Sequence, residues 1–183
     1  MKLKDFIRFL AITLLTVSLL TGCNGKEDEA IAEAIQIAEA TFNETKQEPT
    51  ESSDLFSFYL PKEYKVKEKS EHNIILKKDN QEYILFVNPN EALDSEVLFN
   101  ELQAAKKEVQ ETFKSKGRFG YLLITPVEGK NYEVIVGIGG VKMTTLSTVD
   151  DIARDTKKMM EIANSVEYDA KQKEEKEQTD KKQ

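Results

Sequence analysis

The chain has 183 residues, 33 acidic against 26 basic, and a formal net charge of −7. Such an acid balance argues against nucleic acid as a partner. One histidine and one cysteine leave no ligand set for zinc of the usual kinds and no internal disulfide, so neither a metal nor a cofactor is expected.

The first element is an N-terminal export signal. Lys2, Lys4 and Arg8 face a single acid, Asp5, and every residue from Phe9 to Leu20 is apolar or a small hydroxyl residue. A positive start followed by an apolar run of this size is the pattern of a secretory signal peptide. Twelve helical residues reach only about 18 Å, short of the roughly 30 Å hydrocarbon core, and any longer window takes in charge, so a spanning helix is not expected. The run ends in Leu20-Thr21-Gly22-Cys23, which resembles the bacterial lipobox. The resemblance implies cleavage after Gly22 and a diacylglyceryl group on the thiol of Cys23. An unmodified single thiol would stand unpaired in an oxidising compartment, and lipidation removes that difficulty. Two acyl chains suffice for stable attachment at about 0.8 kcal/mol per buried methylene. The expected location is the extracytoplasmic face of the cell membrane.

Behind the cysteine the charge is uneven. Residues 24–54 carry two lysines against nine acids, residues 55–168 are close to balance, and the tail 169–183 has five of each sign. Ile31, Ala34, Ile35, Ala38 and Phe42 recur at three- and four-residue steps, one stripe of an amphipathic helix over 27–42. Isolated helices of this length are marginal in water, so residues 23–54 are expected to form an acidic tether holding a weak helix. The alternative is a partner-binding helix. Asn43 to Asp54 has almost no apolar content and is expected as a flexible linker.

The domain is expected over 55–168. Phe56, Phe58 and Leu60 alternate with Ser57 and Tyr59 in a strand that Pro61 stops, and Tyr64 and Val66 alternate with lysines in a second. Asn73 to Lys78 and Glu82 to Asn88 form a hairpin. Leu98, Leu102, Ala105, Val109 and Phe113 make a helical stripe closed at Gly117, capped by Asp94 or Ser95. Three further strands, 118–125, 132–138 and 141–146, precede a helix capped by Thr148 or Asp150. In it Val149, Ile152, Ala153, Thr156, Met159 or Met160, Ala163 and Val166 share a face. The tail 169–183 has no apolar residue after Ala170 and is expected to be disordered or a frayed helical extension. Strand-rich, helix, strand-rich, helix is the order of an α+β domain with an antiparallel sheet.

Phe56-Ser57-Phe58-Tyr59-Leu60-Pro61, followed by Tyr64-Lys65-Val66, resembles the strand–proline–aromatic opening of PsbP-like domains. The final helix running into Asn164-Ser165-Val166 is similar to the family's closing pattern. The resemblance spans the whole domain and implies a sheet flanked by helices. That family holds photosystem assembly subunits, nuclear transport factors and bacterial lipoproteins, so it implies a binding or assembly module and no single activity.

A search for chemistry is negative. His72 sits in the polar turn Ser70-Glu71-His72-Asn73, and no Gly-x-Ser-x-Gly elbow offers a nucleophile. Gly137-Ile138-Gly139-Gly140-Val141-Lys142 lacks phosphate-loop spacing and a following helix, and is expected as a glycine hairpin turn. Asp150-Asp151 opens a helix, where carboxylates suit the macrodipole, and no calcium-loop pattern occurs. No catalytic residue is therefore expected. The expected function is a non-enzymatic, membrane-anchored binding or assembly module of the cell envelope, partnered by the membrane and an envelope protein. The alternative is a wall-polymer or small-ligand site built from Lys62, Lys65, Lys67, Lys69, Lys77 and Lys78 with Tyr59, Tyr64 and Tyr132. Lysines on an exposed sheet edge that block aggregation explain the cluster equally well.

Overall fold

A computed structural model describes residues 24–103, 109–129 and 131–168. The signal peptide, Cys23 and the tail 169–183 lie outside the described residues. Among the described residues three helices, α1 (Asn24–Asn43), α2 (Val97–Leu102) and α3 (Ile152–Asn164), accompany ten strands. Seven of these, β3 (Lys65–Lys69), β4 (Asn73–Lys78), β5 (Gln81–Val87), β6 (Val109–Ser115), β7 (Arg118–Val127), β8 (Asn131–Ile138) and β9 (Val141–Thr148), make one antiparallel sheet. Its order is β3-β4-β5-β9-β8-β7-β6. β1 (Glu51–Ser52), β2 (Phe56–Phe58) and β10 (Glu167–Tyr168) form a second, small sheet in the order β1-β2-β10. The fold is α+β and antiparallel, as the element order predicts.

Alternation fixes which face of the large sheet is covered. Ile74, Leu76, Tyr83, Leu85, Val134, Val136 and Met143 point to one side, where α1 and α3 close the main core. On the opposite side Phe99 of α2 packs on Phe119, Tyr121, Leu123 and Ile135, a smaller cluster. β7 is therefore buried on both faces from Phe119 to Ile124. Two close approaches depend on glycine: a Cβ on Gly137 would lie 2.1 Å from the Tyr121 ring, and one on Gly120 would lie 2.7 Å from the Phe42 ring.

Three expectations change. Of the segment expected as a tether, residues 24–54 are not loose, because α1 is part of the core: Ala34, Ala38 and Phe42 are fully buried, with Ile31 and Ile35 packed beside them. Tertiary packing supplies what the isolated helix lacks. The C-terminal carbonyls of α1 are satisfied as well. Arg118 stacks over the Phe42 ring at 4.6 Å and donates from Nη2 to the Phe42 carbonyl at 2.8 Å, while Asn164 Nδ2 donates to the Thr41 carbonyl at 3.2 Å. The domain thus begins at Asn24 among the described residues and not at Leu55, and residues 50–52 join it through β1.

The second change concerns the stripe from Leu98 to Phe113. Leu98 and Leu102 belong to α2, but Val109 and Phe113 belong to β6. A four-residue step returns to the same face in a helix and in a strand alike, so it could not separate the two. Gly117 does not cap a helix; with Lys116 it makes a two-residue turn, both at positive φ (51° and 71°), joining β6 to β7. The third change is at the helix starts: the N-cap position of α2 is Glu96 and neither Asp94 nor Ser95, and that of α3 is Asp151 and neither Thr148 nor Asp150.

Candidate functional site

β5, β9 and α3 converge at one end of the sheet on a buried carboxylate. Asp155 lies on α3 three residues after Ile152 and four before Met159, which places it on the helix's buried face, and it is fully buried. Its Oδ2 accepts hydrogen bonds from Gln81 Nε2 (2.8 Å) and Ser147 Oγ (2.7 Å). Its Oδ1 accepts from the Tyr83 hydroxyl (3.1 Å) and from Arg154 Nη2 (3.1 Å). Four donors thus surround one buried carboxylate, and each of its oxygens accepts two hydrogen bonds. Three of the four donors come from positions that the strand pattern dictates, since Gln81, Tyr83 and Ser147 all face α3 across the sheet, and the fourth, Arg154, is the neighbour of Asp155 on α3 itself.

Arg154 carries this arrangement to the surface. Half of its side chain is exposed, and its Nη1 is 2.7 Å from Asp151 Oδ1. The guanidinium forms part of the wall of an open groove of about 960 Å³ lined also by Lys78, Gln81, Ile84, Thr144 and Leu146. Ile84 and Leu146 are 44% and 58% exposed, unusual for aliphatic side chains on central strands. The groove thus combines an apolar strip, threonine hydroxyls and charges of both signs. Asp155, behind this wall, has both oxygens already engaged by two donors each.

The tyrosines around the carboxylate are perturbed. Tyr64 meets Tyr83 edge-on at 5.0 Å, and its hydroxyl is buried without a hydrogen bond. Burial pushes the Tyr64 phenol up to about 12, and the same cause, aided by the charge of Glu91, raises Tyr168 to about 12. Burial drives Tyr83 and Tyr121 higher still. An ordinary phenol ionises near 10. Between these values the unfolded chain has released its protons while the folded chain retains them, so the stabilising contribution is complete below about pH 10 and is lost as pH rises through about 12. An alkaline titration should show tyrosinate absorbance growing together with loss of secondary structure over that window. All six tyrosines ionising near pH 10 in an intact fold would refute this.

The residues singled out from the sequence do not gather into one site. Tyr64 and Tyr132 are buried, the latter donating to the Glu27 carboxylate of α1. β3 is an edge strand with a bulge between Val66 and Glu68; Lys67 pairs with Glu82, and Lys69 with Glu51 at 2.9 Å. Of the six lysines, Lys78 stands beside one of the three tyrosines, with its Nζ 5.9 Å from the Tyr64 ring centroid. His72 is part-buried, its Nδ1 3.1 Å from the Val87 carbonyl. Gly139-Gly140 is the turn between β8 and β9, with Gly139 at φ 54°. Asp155 escaped the sequence reading, although a signal existed: a lone acid set at helical spacing within an apolar stripe. Among the described residues no three His, Asp or Glu side chains form a group that could hold a metal, and no helix is long and apolar enough to cross a membrane. No protein-family model matches the chain, and no curated protein matches it either.

Proposed function

We propose that this chain is a lipid-anchored, extracytoplasmic lipoprotein whose domain is a non-enzymatic binding or assembly module of the cell envelope, with a PsbP-like fold. The observation that carries the proposal is Leu20-Thr21-Gly22-Cys23 placed directly after the apolar run Phe9 to Leu20. A sheet with helices on both faces accords with the fold reading, and a saturated buried carboxylate beside an open groove accords with binding in place of catalysis.

The test is the state of Cys23. In membranes of the producing cell, the mature N-terminal peptide is expected to begin at Cys23 and to carry the mass of a diacylglyceryl group. Cys23→Ser is expected to leave the signal peptide uncleaved and the lipid absent. An intact N-terminus in the unaltered chain, or a secreted form with a free thiol, would sink the anchor. A hydrolytic or redox activity lost on changing one domain residue would sink the non-enzymatic reading.

A further inference from the structure

The large sheet has two edges, and they are unlike. β3 is guarded in the ways that keep edge strands from pairing: a bulge between Val66 and Glu68, three lysines, and the tie of Lys69 to Glu51 of the small sheet. β6 has none of these. It runs in unbroken register with β7 from Val109 to Ser115, and Gln110, Glu111 and Thr112 are exposed in a row. Among the described residues no strand lies beyond it. Every second backbone amide and carbonyl of β6 therefore points away from the sheet, ready to pair with an added strand.

The two faces beside this edge differ in charge. Phe113 meets the Phe42 ring of α1 at 5.9 Å, so Glu111, two residues earlier, shares the α1 side. On α1, Asp28, Ala32, Ile35 and Glu39 follow one another at steps of four, three and four, one stripe of the helix. That stripe borders the Ile35–Phe42 line on the side away from Ala34 and Ala38, so it overhangs the β6 edge while α3 packs along the other flank. Asp28, Glu39 and Glu111 are exposed, and none has an ion-pair partner among the described residues. The described cations leave this charge standing. Lys26 is on the far flank with Asp150, Arg118 lies beneath Phe42 on neutral acceptors, and Lys116 is in the turn past the end of the strand. On the opposite face Gln110 and Thr112 are neutral, and Lys114 is paired with Glu96 at 2.6 Å.

A second copy of this chain fits the edge poorly. About a dyad at Thr112, antiparallel β6 strands would set Glu111 diagonal to its own copy and bring two acidic helix flanks together. An extended strand with basic residues at alternate positions suits both the free backbone and the acidic overhang. We propose that β6 is the docking edge for an extended, basic segment of a partner protein, added as an eighth strand with its Lys or Arg side chains on the α1 side. The proposal rests on the binding-module reading and not on the lipid anchor.

The probe is a short alternating Lys-Thr peptide, added to the full chain in neutral detergent. It should shift the backbone amides of residues 110–114 and slow their hydrogen exchange, and an alternating Glu-Thr peptide should not. N-methylation of the peptide at every second residue, in two registers, separates strand pairing from charge: one register should abolish binding and the other leave it. Glu39→Lys combined with Glu111→Lys should weaken Lys-Thr binding by about tenfold. Equal binding of both peptides, the result expected if Lys106 and Lys107, outside the described residues, neutralise the overhang, overturns the proposal. Binding that neither N-methyl register disturbs overturns it as well. Amides of β6 that are protected before any peptide is added, in a monomer or a dimer, show the edge already occupied and sink it too. None of these outcomes touches the binding-module reading, which would fall if the chain cleaved the peptide.

Discussion

A chain that begins at Leu55 is expected not to fold. It lacks α1, whose Ala34, Ala38 and Phe42 are fully buried against the rest of the main core. Removing Phe42 alone by Phe42→Ala should cost about 3–5 kcal/mol, the range for a buried phenylalanine replaced by alanine. The ring also supports Gly120 and lies under the Arg118 guanidinium, so the site cannot collapse without disturbing β7. Typical domains have only about 5–15 kcal/mol of net stability, and loss of the whole helix exceeds what such a margin tolerates. Urea unfolding followed by circular dichroism measures both changes. A cooperative transition in the 55–168 chain at the midpoint of the longer one would show that α1 is an accessory.

Asp155→Ala should destabilise by a similar amount, about 3–5 kcal/mol, because breaking a buried charge network strands its remaining members. Four donors lose a partner at once, Gln81 Nε2, the Tyr83 and Ser147 hydroxyls and Arg154 Nη2, of which Gln81 keeps the Leu146 carbonyl and Arg154 keeps Asp151. Asp155→Asn should cost less, since its carbonyl oxygen still serves two of them and a hydroxyl can rotate to accept from its amide. The ordering Asp155→Ala worse than Asp155→Asn, in thermal or urea midpoints, tests the role of the acceptor. Equal midpoints for both variants and the unaltered chain would mean that the carboxylate contributes no net stability.

Most strands were legible because their apolar residues alternate and their ends carry turn residues. The β4–β5 hairpin, the three strands β7 to β9 and the stripe of α3 all follow from that pattern. β6 was not legible: Val109 and Phe113 stand four apart, and the exposed Gln110, Glu111 and Thr112 between them look as natural on a helix as on an edge strand. The stripe of α1 was visible, but its stability was not, because the partner that buries it is α3, more than a hundred residues away. For the same reason the site was hidden. Gln81, Tyr83, Ser147 and Asp155 meet only through the β5–β9 pairing, which crosses α2 and three strands of intervening sequence.

The packing of α1 on α3 sets a time order for folding. Among the described elements, the first to be synthesised has to wait for the last helix before its apolar stripe is covered, so no product ending before about residue 164 can close the main core. Contacts between distant parts of a chain slow folding, because their loop entropy is lost before the contacts form. Until α3 arrives, Ile31, Ile35 and Phe42 remain open to other surfaces, and the growing chain depends on its nine acids between residues 24 and 54 to stay apart from its neighbours.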